Sequence, residues 1–227
     1  EGQVVELVGA SPSGKTQVCH SVAAHCAAAG IPVVYFSTAN SFSALRIAQM
    51  HRSCTSDEGC LSLEETMRNI EVQEVPTAQE LLEGLHALQH HLRAEGRKGS
   101  REGALGLMVV DSPAVVIQGV LGGNHSQGYT LMVCIAAMLK CIAEEFTSAV
   151  LITNSLVGGD AHPRPALGKS WRPQPHIRVL LEALNLPTYG NISAEQELKC
   201  RATLMKSPTM APGHSTAFYI AEAGLHA

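Results

Sequence analysis

Eight consecutive residues carry the most specific chemistry in this sequence. Gly9-Ala10-Ser11-Pro12-Ser13-Gly14-Lys15-Thr16 has the spacing G-x-x-x-x-G-K-[ST] of a phosphate-binding loop. Gly9 and Gly14 lack a Cβ, so the backbone can turn tightly and aim its N–H groups at phosphate oxygens. The positive end of the following helix adds to that field. Lys15 is placed to reach the β- and γ-phosphates, and the Thr16 hydroxyl to hold a magnesium ion. Gln17 completes the candidate nucleotide-contacting run.

Such a loop needs an acid near its magnesium. Asp111 follows the apolar run Leu105 to Val110 and is the candidate. Ligands of parallel sheets bind beyond the carboxyl ends of the strands, where Asp111 and the loop would meet. Ser112 could hold the metal's water shell. Hydrolysis also needs a group that orients or deprotonates water. Ser37-Thr38-Ala39-Asn40 contains no carboxylate, and Ile152-Thr153-Asn154-Ser155 offers only amide and hydroxyl groups. The residues alone therefore support nucleotide binding and do not support fast hydrolysis.

The loop must sit between a strand and a helix. Val4 to Val8 is a short apolar run rich in β-branched residues and reads as a buried strand. Thr16 to Ala29 has Val18, Cys19, Val22, Ala23, Cys26 and Ala27 at helical spacing, with Gly30 and Pro32 as stop signals. Val33 to Phe36 is a second strand. Ser41 or Ser43 can cap a helix through Ala44, Leu45, Ile47 and Ala48. Ser62-x-x-Glu65 and Thr77-x-x-Glu80 are capping boxes, the second opening a long amphipathic helix through Leu92. Ile70 to Val75 alternates as a strand. Gly96 to Gly103 is a basic, Gly-rich loop. Ile117 to Gly128 reads as a loop, Tyr129 to Phe146 as a helix, Ala149 to Thr153 as a strand and Val157 to Gly168 as a Gly/Pro-rich loop. Three strands close the chain, Ile177 to Leu184, Glu197 to Met205 and Ala217 to Ala221. Strands alternating with helices and then a strand-only tail imply one α/β domain over residues 1–227. Its central sheet would be mostly parallel, flanked by helices and extended by antiparallel strands at the C-terminal end.

The 227 residues are 45% hydrophobic and 16% charged, with a net charge of −4. That is not the signature of a strong autonomous nucleic-acid binder. No run of 18 apolar residues appears, so a membrane span is not expected. Cys19, Cys26, Cys134 and Cys141 are expected on apolar helical faces as small hydrophobes. Trp171, the one tryptophan, reads as an anchor for its loop. Lys206 reads as a solvated side chain, with reach to a neighbour's phosphates as the alternative.

Taken in order, these motifs resemble the RecA-family recombinase core. The carriers are the phosphate loop, Met108-Val109-Val110-Asp111-Ser112, Ile152-Thr153-Asn154 and Pro165-Ala166-Leu167-Gly168-Lys169-Ser170-Trp171. The last element is similar to the eukaryotic recombinase paralogues. Leu121 to Gly128 with Leu131-Met132, and Val157-Gly158-Gly159, are similar to the D-type paralogue; Pro175 to Val179 is similar to plant-like members. The resemblance implies a RecA-like P-loop core that binds ATP and Mg2+ and a nuclear role in homologous recombination and double-strand-break repair. It implies partner paralogues in a hetero-oligomer, and single-stranded or branched DNA bound mainly in that complex. On it, Lys15 and Thr16 take phosphate and magnesium, Asp111 is the second magnesium group, and Arg46 lies near the adenine. Loops 117–128 and 157–165 would face DNA. The family's N-terminal domain and linker are not matched, so the expectation is the C-terminal ATPase core.

The departures set the expected activity. Active members carry a Glu where Ala39 stands and a nucleotide-sensing Gln where Ser155 stands. Loop 117–128 is nearly without Lys or Arg, and loop 157–165 has only His162 and Arg164. Weak autonomous hydrolysis and weak DNA affinity are expected. The competing readings are a self-sufficient DNA-dependent ATPase and strand-exchange protein, or a scaffold with a vestigial nucleotide site.

Overall fold

A computed structural model of the chain describes residues 2–54, 59–97, 105–121, 125–158, 164–185 and 197–226. Alternation of strands and helices produces β1 (Val4–Gly9), α1 (Lys15–Ala28), β2 (Val33–Ser37), α2 (Ala44–Cys54), α3 (Leu63–Arg68), β3 (Ile70–Glu74) and α4 (Ala78–Arg97). There follow β4 (Leu107–Asp111), α5 (Pro113–Leu121), α6 (His125–Glu145), β5 (Ala149–Val157), β6 (Arg164–Pro165) and α7 (Gly168–Trp171). The strands β7 (Ile177–Ala183), β8 (Leu198–Lys206), β9 (Ser215–Ala221) and β10 (Gly224–His226) close the chain.

The strand order is β10-β9-β8-β7-β1-β5-β4-β2-β3, with the short β6 paired to β5. β7, β1, β5, β4, β2 and β3 run parallel, and β8, β9 and β10 add antiparallel strands at one side. The mostly parallel α/β architecture and the antiparallel C-terminal extension are both present. Parallel strands must be covered on both faces, and the period-2 alternation supplies two apolar sets. Val34, Phe36, Met108, Val110, Val150 and Ile152 pack under α4, α5 and α6. Val33, Tyr35, Leu107, Val109 and Leu151 pack under α1, α2 and neighbouring side chains.

Local signals set most helix ends. Gly30, at φ 77°, closes α1, and the Ala29 N–H donates to the His25 carbonyl. The Ser43 hydroxyl accepts the Arg46 N–H and starts α2. Ser62 and Glu65 form the reciprocal capping box of α3. Thr77 accepts the Glu80 N–H at 3.1 Å, while its hydroxyl donates to the Glu80 carboxylate at 2.9 Å.

Three expectations are corrected. Most of 117–128 is helical rather than loop: α5 runs to Leu121 and α6 starts at His125, with 122–124 outside the described residues. Ala114, Ile117 and Leu121 lie on one helical face, and that burial outweighs the Gly and Gln content. Gly128 is a packing glycine, since a Cβ there would lie 2.5 Å from the Val120 carbonyl oxygen. Residues Arg164–Pro165 pair with Leu156 and Val157 as a short hairpin instead of extending as a loop. Cys134 and Cys141 are on the exposed face of α6, although Cys19 is buried as expected. β10 was not anticipated; three residues are too short for a periodic signal.

Helix α6 has a window, Gln127–Glu145, with mean hydropathy 1.2, long and apolar enough to span a bilayer by length and composition. Here it lies against α4, α5 and the sheet, with Ile135, Leu139 and Ile142 buried. Residues 98–104 and 186–196, which include the basic Lys98 and Arg101, lie outside the described residues.

This packing gives a test of the α4–α6 layer. Leu85 and Leu139 are almost fully buried there. Leu85→Ala or Leu139→Ala should cost about 2–5 kcal/mol in urea unfolding. Val115→Ala, at an exposed position on α5, should change stability by less than about 0.5 kcal/mol.

Candidate nucleotide-binding site

The loop after β1 is built around its glycines. At Gly9 a Cβ would sit 2.3 Å from the Ser13 hydroxyl and 2.5 Å from the Leu181 carbonyl oxygen. Gly14 caps α1 with φ 82°, a left-handed conformation that glycine adopts without strain. Lys15 folds back over the loop: its ammonium donates to the carbonyls of Gly9 at 2.8 Å and Ala10 at 3.0 Å and to the Ser13 hydroxyl at 3.3 Å. Burial lowers the Lys15 pKa from its ordinary value, and the nearby Asp111 opposes that shift. Ala10, Ser11 and Pro12 are exposed, Ser13 is buried, and all four line a cavity of about 580 Å3.

The strand order brings the second half to this loop. β5 lies between β1 and β4, so the carboxyl ends of β1 and β4 are two strands apart. The Thr16 hydroxyl, on the first turn of α1, donates to Asp111 Oδ2 at 2.9 Å across 95 positions of sequence. Two further hydroxyls converge on the same carboxylate. Tyr35 donates to Oδ2 at 3.1 Å, and Thr153 donates to Oδ1 at 2.6 Å. Thr16 and Asp111 therefore present hard oxygen donors beside the phosphate loop, a set that suits Mg2+. When bound there, the ion would neutralise phosphate charge.

The segment after β2 is tied to the same strand end. Thr38 exchanges hydrogen bonds with the backbone of Ser112, and the Ser41 hydroxyl donates to the Asp111 carbonyl. The Ser112 hydroxyl is turned toward the Thr153 carbonyl at 2.9 Å, away from the role proposed for it in the metal's water shell. Ala39 and Asn40 are exposed at this edge, and Asn40 has φ 50°. Asn154 points to the opposite face, where its amide donates to Glu6 at 2.8 Å.

Arg46 is on α2. It donates to the side chains of Gln17 at 2.6 Å and Gln49 at 3.1 Å, and to the carbonyls of Ala221 and Glu222. It thus joins α1, α2 and the β9–β10 turn. Burial lowers its pKa, against the pull of Glu222. His162, on the expected second DNA-facing loop, lies outside the described residues.

Sequence reasoning did not single out Tyr35, Thr153, Thr38 or Ser41 as partners of the Asp111 strand end. The alternation of β2, β4 and β5 was the available signal, because it puts Tyr35, Asp111 and Thr153 on one face. Also missed was the buried acid Glu6. It accepts from Asn154, from the Trp171 indole at 2.8 Å, and from Arg178 in an ion pair buried on both sides. Trp171 is 1% exposed and is an anchor of the 164–173 segment.

The Rad51 family signature matches residues 1–173 of the 227. The chain belongs to the Rad51 family. Among curated Rad51-family proteins it is 37% identical to DNA repair protein RAD51 homolog 4 of Bos taurus, over 80% of this chain and 56% of that protein. The Mus musculus protein of the same name is 32% identical, over 92% of this chain and 62% of that protein. Human DNA repair protein RAD51 homolog 2 is 24% identical over 99% of this chain. The chain thus spans about three-fifths of the length of the first two relatives. With them, the resemblance to a RecA-family eukaryotic recombinase paralogue is established.

A buried histidine beside the site gives a pH test. His20 stacks on Tyr35, and its Nε2 accepts the Ser43 N–H at 3.1 Å. That nitrogen must be unprotonated, and Nδ1 has no partner among the described residues. Burial lowers the His20 pKa below its ordinary 6.5. The unfolded chain then binds more protons between the folded pKa and 6.5, so this contribution to stability is present above 6.5 and is lost as pH falls. Urea midpoints from pH 7.5 to 5 should fall less steeply in His20→Gln than in the parent; parallel slopes would exclude His20 as the titrating group.

Proposed function

We propose that this Rad51-family chain is the ATP-binding core of a recombinase paralogue of the D type. It would act in the nucleus as one subunit of a hetero-oligomeric complex that assists homologous recombination and double-strand-break repair. The observation that carries the reading is the contact of Thr16 with Asp111 beneath the Lys15-bearing loop. These residues come from chain segments far apart in sequence, yet they combine a phosphate cradle with a magnesium-suited oxygen pair. The relatives' printed names, DNA repair proteins, support the repair context. The Rad51 family is a nucleotide-binding ATPase family, which supports ATP and Mg2+ as the ligands.

In this reading Lys15 leaves its loop carbonyls for the phosphate oxygens, and the loop N–H groups and the α1 terminus bind them. Thr16 and Asp111 hold the metal side. Tyr35 and Thr153 fix the Asp111 carboxyl group so that it is oriented before ligand arrives. Ala39 supplies no base, and Ser155 is too short to sense the terminal phosphate in the way a Gln would. Binding without rapid hydrolysis is then the expected output, and bound nucleotide would favour whichever assembly state contacts it best. DNA contact would come mainly from the assembled complex.

Calorimetry with ATP and Mg2+ tests this. Lys15→Ala should weaken ATP binding by about 10- to 100-fold, the loss of a charge-assisted contact. Asp111→Asn should reduce the dependence of affinity on Mg2+. Turnover by the parent chain should stay near background with or without single-stranded DNA. Equal ATP affinity in the parent and Lys15→Ala would refute the site, and strong DNA-stimulated turnover would favour the self-sufficient recombinase.

A further inference from the structure

Two thiols meet at the end of α2 and take no part in the nucleotide site. Cys54 is the last residue of α2 and is buried; Cys60, six positions on, is half-buried. The Cys60 thiol donates to the Cys54 carbonyl oxygen at 2.8 Å, and the Cys54 thiol donates to the Met50 carbonyl at 3.6 Å. Residues 55–58 between them lie outside the described residues. Among the described residues no three His, Cys, Asp or Glu side chains converge as a metal-binding set. The chemistry left to the pair is thiol–disulfide exchange.

The two cysteines belong to separately anchored pieces of chain. On the Cys60 side, the Leu61 N–H donates to the Ala28 carbonyl at the end of α1 at 2.9 Å, and the Leu61 carbonyl accepts from His51 Nε2 at 2.9 Å. Ser62 then caps α3. On the Cys54 side, the Ser53 hydroxyl donates to the Ala223 carbonyl of the β9–β10 turn at 2.8 Å. Arg46, about two turns earlier on α2, donates to the Ala221 and Glu222 carbonyls of the same turn. The carbonyl that Cys60 touches is that of Cys54 itself, so the Cys60 sulfur lies one hydrogen bond and two covalent bonds from the Cys54 Cα. A disulfide needs its two Cα atoms about 4.4–6.8 Å apart, which is the scale of this approach.

We propose that Cys54 and Cys60 form a reversible disulfide that clamps the end of α2 to the segment leading into α3. A rotation of Cys54 about χ1, away from the Met50 carbonyl, turns its sulfur toward Cys60. Little opposes it, since a thiol is a weak hydrogen-bond donor. The oxidant is a low-molecular-weight disulfide such as that of glutathione. Cys60, the more accessible of the two, attacks it as a thiolate; one glutathione thiolate leaves and a mixed disulfide remains on Cys60. Cys54, as a thiolate, then attacks Cys60 Sγ. The Cys54–Cys60 bond forms and the second glutathione thiolate leaves. Two protein thiols thereby lose two electrons and two protons, and glutathione disulfide takes them up as two thiols. Excess reduced thiol runs the same steps backward. The bond closes a ring of seven residues and removes freedom from the last turn of the helix that carries Arg46. The site rests on its own residues and stands whether or not the phosphate loop binds ATP.

Trypsin leaves both cysteines on one peptide, 53–68, because Arg52 precedes it and Arg68 ends it with no Lys or Arg between. The full chain is equilibrated in native buffer with glutathione and glutathione disulfide at rising ratios, quenched with N-ethylmaleimide, digested and weighed by mass spectrometry. The peptide should lose both maleimide labels together and come out lighter than the unlabelled dithiol by two hydrogen atoms. Dithiothreitol should restore both labels, and the circular dichroism of the oxidised chain should match that of the reduced chain. Amide hydrogen exchange in the last turn of α2 should slow by about threefold or more on oxidation. In Cys60→Ser the same oxidant should leave the Cys54 label in place and the α2 exchange unchanged; if that variant does not fold, Cys60→Ala replaces it. Both labels retained at every ratio, glutathione left on Cys60 without the ring, a ring formed only in urea, or α2 exchange unchanged by oxidation each overturns the proposal.

Discussion

The Asp111 carboxyl group is the constraint on which the site depends. It is 4% exposed and accepts three hydroxyl hydrogen bonds, from α1, β2 and β5. A buried carboxylate without such partners would be expensive. The cost is offset only if Thr16, Tyr35 and Thr153 arrive together, and they arrive together only if β1, β5, β4 and β2 take the observed order. The same three contacts therefore select the topology and orient the group facing the phosphate loop. The aromatic cluster of His20, Tyr35 and Phe42 packs behind it and limits how far Tyr35 can move.

A second buried polar centre stands on the other face of β1. Glu6 gathers Arg178, Trp171 and Asn154, and so ties the strand that enters the phosphate loop to β7, α7 and the end of β5. Breaking one partner of a buried pair of this kind costs about 3–5 kcal/mol, because the other charge is left uncompensated. Period-2 alternation puts Glu6 and Leu7 on opposite sides of one strand. β1 is thereby fastened to the 164–178 segment on one face and to the α1 core on the other.

The carboxyl edge of β2 carries no carboxylate at Ser37, Thr38, Ala39 or Asn40. Thr38 and Ser41 are spent on the Asp111–Ser112 backbone, and Ala39 stands exposed between them without a titratable group. Asn154 is turned into the Glu6 cluster. This edge therefore presents structural hydroxyls and a methyl group, beside a loop whose Lys15 and Thr16 are in place.

Much of this was legible in the linear sequence. The phosphate loop is a local motif whose chemistry depends on residues within eight positions, so Gly9, Gly14, Lys15 and Thr16 could be named as candidates without a fold. Capping boxes and the Gly30 stop are local too, and the helices they bound appear where expected. Asp111 was recoverable because an acid ending an apolar strand is rare enough to stand out. What failed were the judgements that required knowing what a residue packs against. Gly128 looks like a loop former until the Val120 carbonyl is seen beside it, and Cys134 and Cys141 look buried until α6 is rotated onto its partners. The sequence by itself determined the chemistry of the loop, the alternation of strands and helices, and the lack of a carboxylate after β2, since each is carried by neighbouring residues. Only the tertiary structure decided the partners of Asp111 and of Glu6, because these two acids lie between 42 and 172 positions from the groups that bind them and meet them only when strand order and burial bring them together.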